Sequence, residues 1–270
     1  MTLSLGLLAA VAGAAGAEKP AQTPFADADH VTYTPVRGVL VTKAAGDVSY
    51  HGGGVIASAK VVLIFWGPSF APGGIDSTYA ITLQSFRNQL GTSGSWLVVN
   101  QYGVQNSNLG SGTPDWFDTS TPPTNVTDAK VQAEVNRYLA SHAFDSSAVY
   151  EVVIPKTSYS SSGTSTSCGG PSLAYCSYHG WYSGTSGTVK YSIQPYPSCS
   201  GCKVSGWSDA QNQEYFVCRE TRDTVTDPTG GGWWDTSGRE ICEKCPLSIT
   251  FPPPPPGCGK CWSNAVHGCV

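Results

Sequence analysis

Lys60-Val61-Val62-Leu63-Ile64-Phe65-Trp66, closed by Gly67-Pro68, is an unbroken apolar run of strand length. Apolar and polar residues do not alternate, so the run predicts a strand buried on both faces, in a sheet that something covers on each side. Val149 to Ile154, closed by Pro155, reads as another buried strand. Between and around these runs the period becomes helical. Tyr79, Leu83, Phe86 and Leu90 recur at steps of four, three and four, predicting a helix over Thr78–Leu90 with Gly91 as its C-cap. A second helix is expected from Thr127, a good N-cap, to His142, with Val131, Val135, Tyr138 and Leu139 on one face. Thr157 to Ser167 reads as a Ser/Thr/Gly loop, and Val189, Tyr191 and Ile193 alternate with polar residues as on a strand with one wet face. Ser208-Asp209-Ala210-Gln211 is a capping box whose helix should run to about Thr226, where Asp227-Pro228 stops it. This order of elements predicts an α+β or mixed α/β domain: a mixed sheet covered by helices, with a disulfide-rich C-terminal half.

The ends are of different character. Met1 to Ala17 is a short apolar run closing on small residues, as in a signal peptide, with Glu18 the expected first mature residue, although no Lys or Arg precedes the run. Residues 18–49 read as an extended N-terminal arm, 50–250 as the folded domain, and 251–270 as a spacer and Cys-rich tail. Pro252 to Pro256 predict a stiff polyproline II spacer. Beyond the leader, no stretch approaches the ~20 apolar residues that span a bilayer.

All ten cysteines (Cys168, Cys176, Cys199, Cys202, Cys218, Cys242, Cys245, Cys258, Cys261 and Cys269) lie in the second half. An even count in an exported chain predicts disulfides formed in an oxidising compartment, the pairing being open from sequence. Three Cys-x-x-Cys pairs would also suit zinc ribbons with His267 or His179, or a redox motif, and export argues against both. The sequon Asn125-Val126-Thr127 marks one glycosylation acceptor. A net charge of -4 without a basic cluster gives no reason to expect nucleic acid or an anionic membrane as partner. Gly230-Gly231-Gly232 lacks the Lys-Ser/Thr of a phosphate loop, and no Gly-x-Ser-x-Gly elbow of a serine hydrolase occurs. Trp181, Trp207, Trp233, Trp234 and Trp262 are candidates either for stacking on sugar rings or for the core.

Tyr50-His51-Gly52-Gly53, Ile64-Phe65-Trp66-Gly67, Tyr175 to Gly180 with His179, Val225-Thr226-Asp227-Pro228, Gly232-Trp233-Trp234-Asp235 and Glu240-Ile241 together resemble the phosphate-induced (EXORDIUM-like) proteins. These are secreted plant cell-wall proteins with microbial relatives. The resemblance runs from about Tyr50 to Cys245 and implies an extracellular or cell-wall-associated protein of zincin-like fold, with a wall polysaccharide or an extracellular protein as partner. In the microbial relatives the helix before Thr-Asp-Pro reads Ser-His-Glu-x-x-Glu, similar to the metal-binding helix of zinc metallopeptidases. There a His and a carboxylate four apart share a face and hold one cation, while the intervening Glu activates its water.

Here the same place reads Cys218-Arg219-Glu220-Thr221-Arg222-Asp223. Arg219 stands where the His belongs, and a guanidinium has no lone pair to give a metal. No cofactor is therefore expected. Arg219 should instead supply the cation's charge in a network with Glu220, Asp223, Asp235 and Glu240, in a degenerate and non-catalytic site. The alternatives are an active zinc metallopeptidase with Glu220 as the catalytic base and ligands from His179, His51, Asp223 and Glu240, or a carbohydrate-binding wall protein.

Overall fold

The computed structural model describes Lys19 and residues 30–37, 46–112, 114–246 and 257–270. The expected signal peptide, Met1 to Ala17, and the spacer Pro252 to Pro256 lie outside the described residues. In chain order the elements are β1 (Val31–Pro35), β2 (Ser49–Tyr50), β3 (Lys60–Trp66), α1 (Ser77–Leu90), α2 (Leu97–Asn100), β4 (Trp116–Asp118), β5 (Asn125–Thr127) and α3 (Asp128–Leu139). Then follow β6 (Ala148–Val153), β7 (Tyr159–Ser162), β8 (Ser165–Thr166), β9 (Tyr175–Gly184), β10 (Gly187–Gln194), α4 (Asp209–Thr226), β11 (Trp233–Trp234), β12 (Trp262–Ser263) and β13 (Gly268–Cys269).

Six strands form the main sheet in the order β1-β9-β10-β6-β3-β4. The pairs β10/β6, β6/β3 and β3/β4 are parallel, and β1/β9 and β9/β10 antiparallel, so the sheet is mixed. β3 explains its own sequence. Val61, Leu63 and Phe65 pack with Leu83, Phe86 and Leu90 of α1 and Val217 of α4, while Val62 and Ile64 pack with Val131, Val135 and Tyr138 of α3 on the other face. A strand between two helical layers has no wet side, which is why the run is unbroken.

Three expectations are revised by this arrangement. The sheet takes in Val31–Pro35 from the stretch read as an arm, because β1 pairs along β9. The Thr157–Ser167 stretch contains the β7/β8 hairpin, which joins β5 in a three-stranded sheet, and Ser161 donates to the Asn125 side chain at 2.7 Å. The second face of β10 is dry at its C-terminal end, where Ser192 and Gln194 are buried beneath α4, while Thr188 and Lys190 on that face remain part-exposed as expected.

Gly91 caps α1 with right-handed backbone, so its glycine character answers crowding rather than a left-handed turn. A Cβ there would lie 2.1 Å from the Ser107 carbonyl oxygen.

All ten cysteines are paired, as Cys168–Cys199, Cys176–Cys202, Cys218–Cys258, Cys242–Cys261 and Cys245–Cys269. No Cys-x-x-Cys closes on itself. Instead, the last three bonds tie the tail to α4 and to the loop after β11, and they bury Cys258, Cys261 and Trp262 against the α1/α4 core. Among the described residues no helix is long and apolar enough to cross a membrane.

Candidate functional site

α4 starts as its capping box dictates: the Ser208 hydroxyl accepts from the Gln211 amide at 3.2 Å, and the Gln211 side chain accepts from the Ser208 amide at 2.9 Å. From Tyr215 to Thr226 the helix is buried on every side, between the sheet, α1 and the disulfide-bound tail. Its polar residues therefore need partners inside the protein.

The sheet supplies them by alternation. On β9, Tyr178 faces α3 and donates to Asp128 at 2.9 Å, which turns its neighbours Ser177 and His179 toward α4. Glu151 of β6 and Gln194 of β10 face the same way and form a buried polar chain. Glu151 accepts from Thr221 Oγ1 at 2.6 Å and Gln194 Nε2 at 3.0 Å, and Gln194 accepts from Gln213, to which Tyr79 donates. Burial pushes the Glu151 carboxyl up to about 8.

His179 lies at the centre of the charged part. Its Nδ1 is 2.8 Å from Glu220 Oε2 and its Nε2 is 3.1 Å from Glu240 Oε2. Glu220 Oε1 accepts from the Ser177 hydroxyl, so both Glu220 oxygens are engaged. Burial alone would lower the His179 pKa, but the Glu240 and Glu220 carboxylates on its two sides outweigh it and hold the imidazolium well above the ordinary histidine range. The reverse balance applies to Glu240, where His179 and Lys19 overcome burial and keep its carboxylate ionised far below the usual range.

Lys19 completes the cluster. Its ammonium is 3.0 Å from Asp227 Oδ2, in direct contact with Glu240 Oε1 and 3.5 Å from Thr32 Oγ1. Thr32 in turn donates to Glu240 Oε1 at 3.2 Å, and Glu243 Oε2 accepts from the Glu240 amide at 3.0 Å. Asp223, whose Oδ1 accepts from the Cys242 amide at 2.7 Å, is held well above the carboxylate range by burial and by the Glu240 charge.

Glu220, Asp223, Glu240 and His179 are thus brought to one place, but Arg219 acts differently from the charge network expected of it. It donates from Nε to Thr34 Oγ1 at 3.0 Å and from Nη1 to the Cys245 carbonyl at 3.3 Å, and no ion pair to Asp223 or Glu240 forms. Residues four apart share a helix face, yet here Thr34 of β1 and the 245 carbonyl reach the guanidinium first. The cations that touch the acids are His179 and Lys19.

Asp235 also falls outside the network, paired with Arg239 at 3.1 Å and Lys244 at 2.9 Å. His51 stacks on Trp234 with ring centres 3.3 Å apart and is not among the groups touching His179. Sequence reasoning missed Lys19, Thr32, Ser177, Asp227 and Glu151. Two of them left a signal: Ser177 is two positions from His179 on a strand and hence on the same face, and Glu151 is the one charged residue in the buried run from Val149 to Ile154.

The donor set does not fit a zinc ion. Nδ1 of His179 is hydrogen-bonded to Glu220 and Nε2 stands 3.1 Å from Glu240 Oε2, which makes no hydrogen bond, but among the described residues no third donor atom lies close enough to share an ion with that pair. Among the described residues the one trio of donor atoms close enough to share an ion is Cys168, Cys199 and Cys202, and all three sulfurs are in disulfides. Searches against protein-family models, curated proteins and solved structures returned no match.

Proposed function

We propose that this chain is a secreted, non-catalytic EXORDIUM-like protein, of zincin-like descent, acting in the extracellular space or cell wall. The observation that carries this reading is the double engagement of His179, whose ring is held between Glu220 and Glu240. A water-activating carboxylate must keep a lone pair toward its water, and a ligand imidazole must keep one toward its metal. Here Ser177 and His179 each donate to one oxygen of Glu220, and the other ring nitrogen of His179 stands 3.1 Å from Glu240 Oε2 as an ion pair without a hydrogen bond. Buried fixed charges then take the structural place of an ion. The five disulfides suit an oxidising compartment.

The test is metal analysis of the purified protein together with cleavage of a peptide library. No stoichiometric metal and no chelator-sensitive cleavage are expected; one equivalent of zinc with chelator-sensitive proteolysis refutes the reading.

A second reading, carbohydrate binding, is favoured by one feature of the β2/β11 ribbon. Tyr50 is 50% exposed and its ring lies 5.4 Å from that of Trp233, a paired aromatic surface of the kind that stacks on sugar rings. Trp234 and Trp262, by contrast, belong to the core. Retention on cellulose, chitin or glucan particles that is lost in Tyr50→Ala supports this reading, and passage through all three removes it.

A further inference from the structure

Among the described residues, Lys19 is the one group of the cluster contributed from outside the sheet, α4 with its C-cap and the loop after β11. Its ammonium faces three oxygens, Asp227 Oδ2 at 3.0 Å, Glu240 Oε1 in direct contact and Thr32 Oγ1 at 3.5 Å, which matches the three N–H bonds an ammonium carries. Each acceptor is fixed by other parts of the fold. Asp227 is the C-cap of α4 and accepts from the Gly232 amide at 2.6 Å through its other oxygen. Glu240 is held by His179 and through its own amide by Glu243, and Thr32 sits opposite His179 in the β1/β9 register. The niche therefore does not depend on Lys19 for its shape. Lys19 is also the solvent-side member, with its side chain 14% exposed against 0% for Asp227 and 1% for Glu240. Two carboxylates so deeply placed need a cation or a proton, and the niche offers that cation three oriented acceptors.

We propose that Asp227, Glu240 and Thr32 form a primary-ammonium site that Lys19 fills from within the chain and that accepts a primary amine from solution when the Lys19 side chain is removed. Hydrogen bonding, and not charge alone, sets its preference: an alkylammonium with N–H bonds satisfies all three acceptors, whereas a quaternary ammonium of equal charge satisfies none. The inference concerns the same charge cluster as the functional reading. Its test reads amine binding, while that reading is tested by metal content, so each can fail alone.

The experiment is thermal unfolding of full-length Lys19→Ala and the unsubstituted protein in methylammonium chloride or tetramethylammonium chloride at matched ionic strength. Lys19→Ala should unfold several degrees lower than the parent, and methylammonium should restore the loss saturably at millimolar concentrations. Tetramethylammonium should not, and the parent should respond to neither. An unchanged melting temperature on substitution, or equal effects of the two salts, overturns the proposal. Should Lys19→Ala not fold, reductive methylation of the unsubstituted protein decides the matter. Lys19 should be modified far more slowly than Lys60 and Lys203, whose side chains are 34% and 38% exposed. Modification at their rate contradicts an ammonium engaged by three buried acceptors.

Discussion

The Nε2 atom of His179 lies 3.1 Å from Glu240 Oε2, while the opposite nitrogen of the ring holds Glu220, so one imidazolium links a helix to a disulfide-bound loop. The two acids come from positions 20 residues apart in sequence (240 minus 220), and the histidine comes from a strand before both. Removing the ring leaves two buried carboxylates facing each other across the vacated space. His179→Asn should lose about 3–5 kcal/mol of stability in urea unfolding. Adding Glu220→Gln to that variant should recover part of the loss, since the carboxylate left without a cation goes with it, whereas Glu240 keeps Lys19.

The pH dependence has a defined sign. Burial raises the Glu134 and Glu151 carboxyls to about 8, so both are protonated in the folded chain at pH 6. In the unfolded chain they titrate near ~4.3. Between those values the folded state binds more protons. Stability is therefore complete below the unfolded pKa and declines as pH rises through 8, by at most ~1.4 kcal/mol per pH unit for each group. His179, also raised, adds to the decline above ~6.5. Glu240 works oppositely, its contribution being lost as pH falls below ~4.3. Melting temperatures should be highest in mildly acidic buffer and fall toward pH 8. Glu134→Gln and Glu151→Gln should each flatten that fall.

Peptide mapping without reduction should recover Cys242–Cys261 and Cys218–Cys258 as cross-links, and no peptide in which a Cys-x-x-Cys is closed on itself. Cys242→Ser/Cys261→Ser removes a bridge of sequence separation 19 and should cost about 2–4 kcal/mol. It also takes away the Cys261 sulfur to which Arg222 Nη1 donates at 3.0 Å, which places the expected loss toward the upper end.

Gly53 and Gly231 cross with their backbones in contact: a Cβ on Gly53 would lie 2.6 Å from the Gly231 Cα. Gly53→Ala must push the β2/β11 ribbon apart, at about 1–3 kcal/mol. Near-ultraviolet circular dichroism should show it, since Trp233 and Trp234 form one strand of the ribbon.

What was legible in the sequence was what short-range pattern encodes. The apolar run Lys60–Trp66 became β3 with both predicted ends, and the capping box at Ser208 opened a helix that ends at Thr226. β1 was missed because five residues beside a Pro-containing stretch carry little periodic signal, and their strand identity comes from pairing with β9, more than 140 positions later. The site was half legible. The place of Arg219 on the helix opened by Ser208 could be read directly, but its partners could not, because Thr34 and the Cys245 carbonyl are brought to it only by the finished fold. Lys19, separated from Glu240 by 221 positions, left no local trace at all.

The most direct measurement of the clamped histidine is the nitrogen-15 spectrum of the His179 ring across neutral and mildly alkaline pH. Both ring nitrogens should stay protonated well past the pH at which a free histidine becomes neutral. A neutral ring with one bare nitrogen, or a shift marking that nitrogen as bonded to a metal, would contradict a site closed by its own charges.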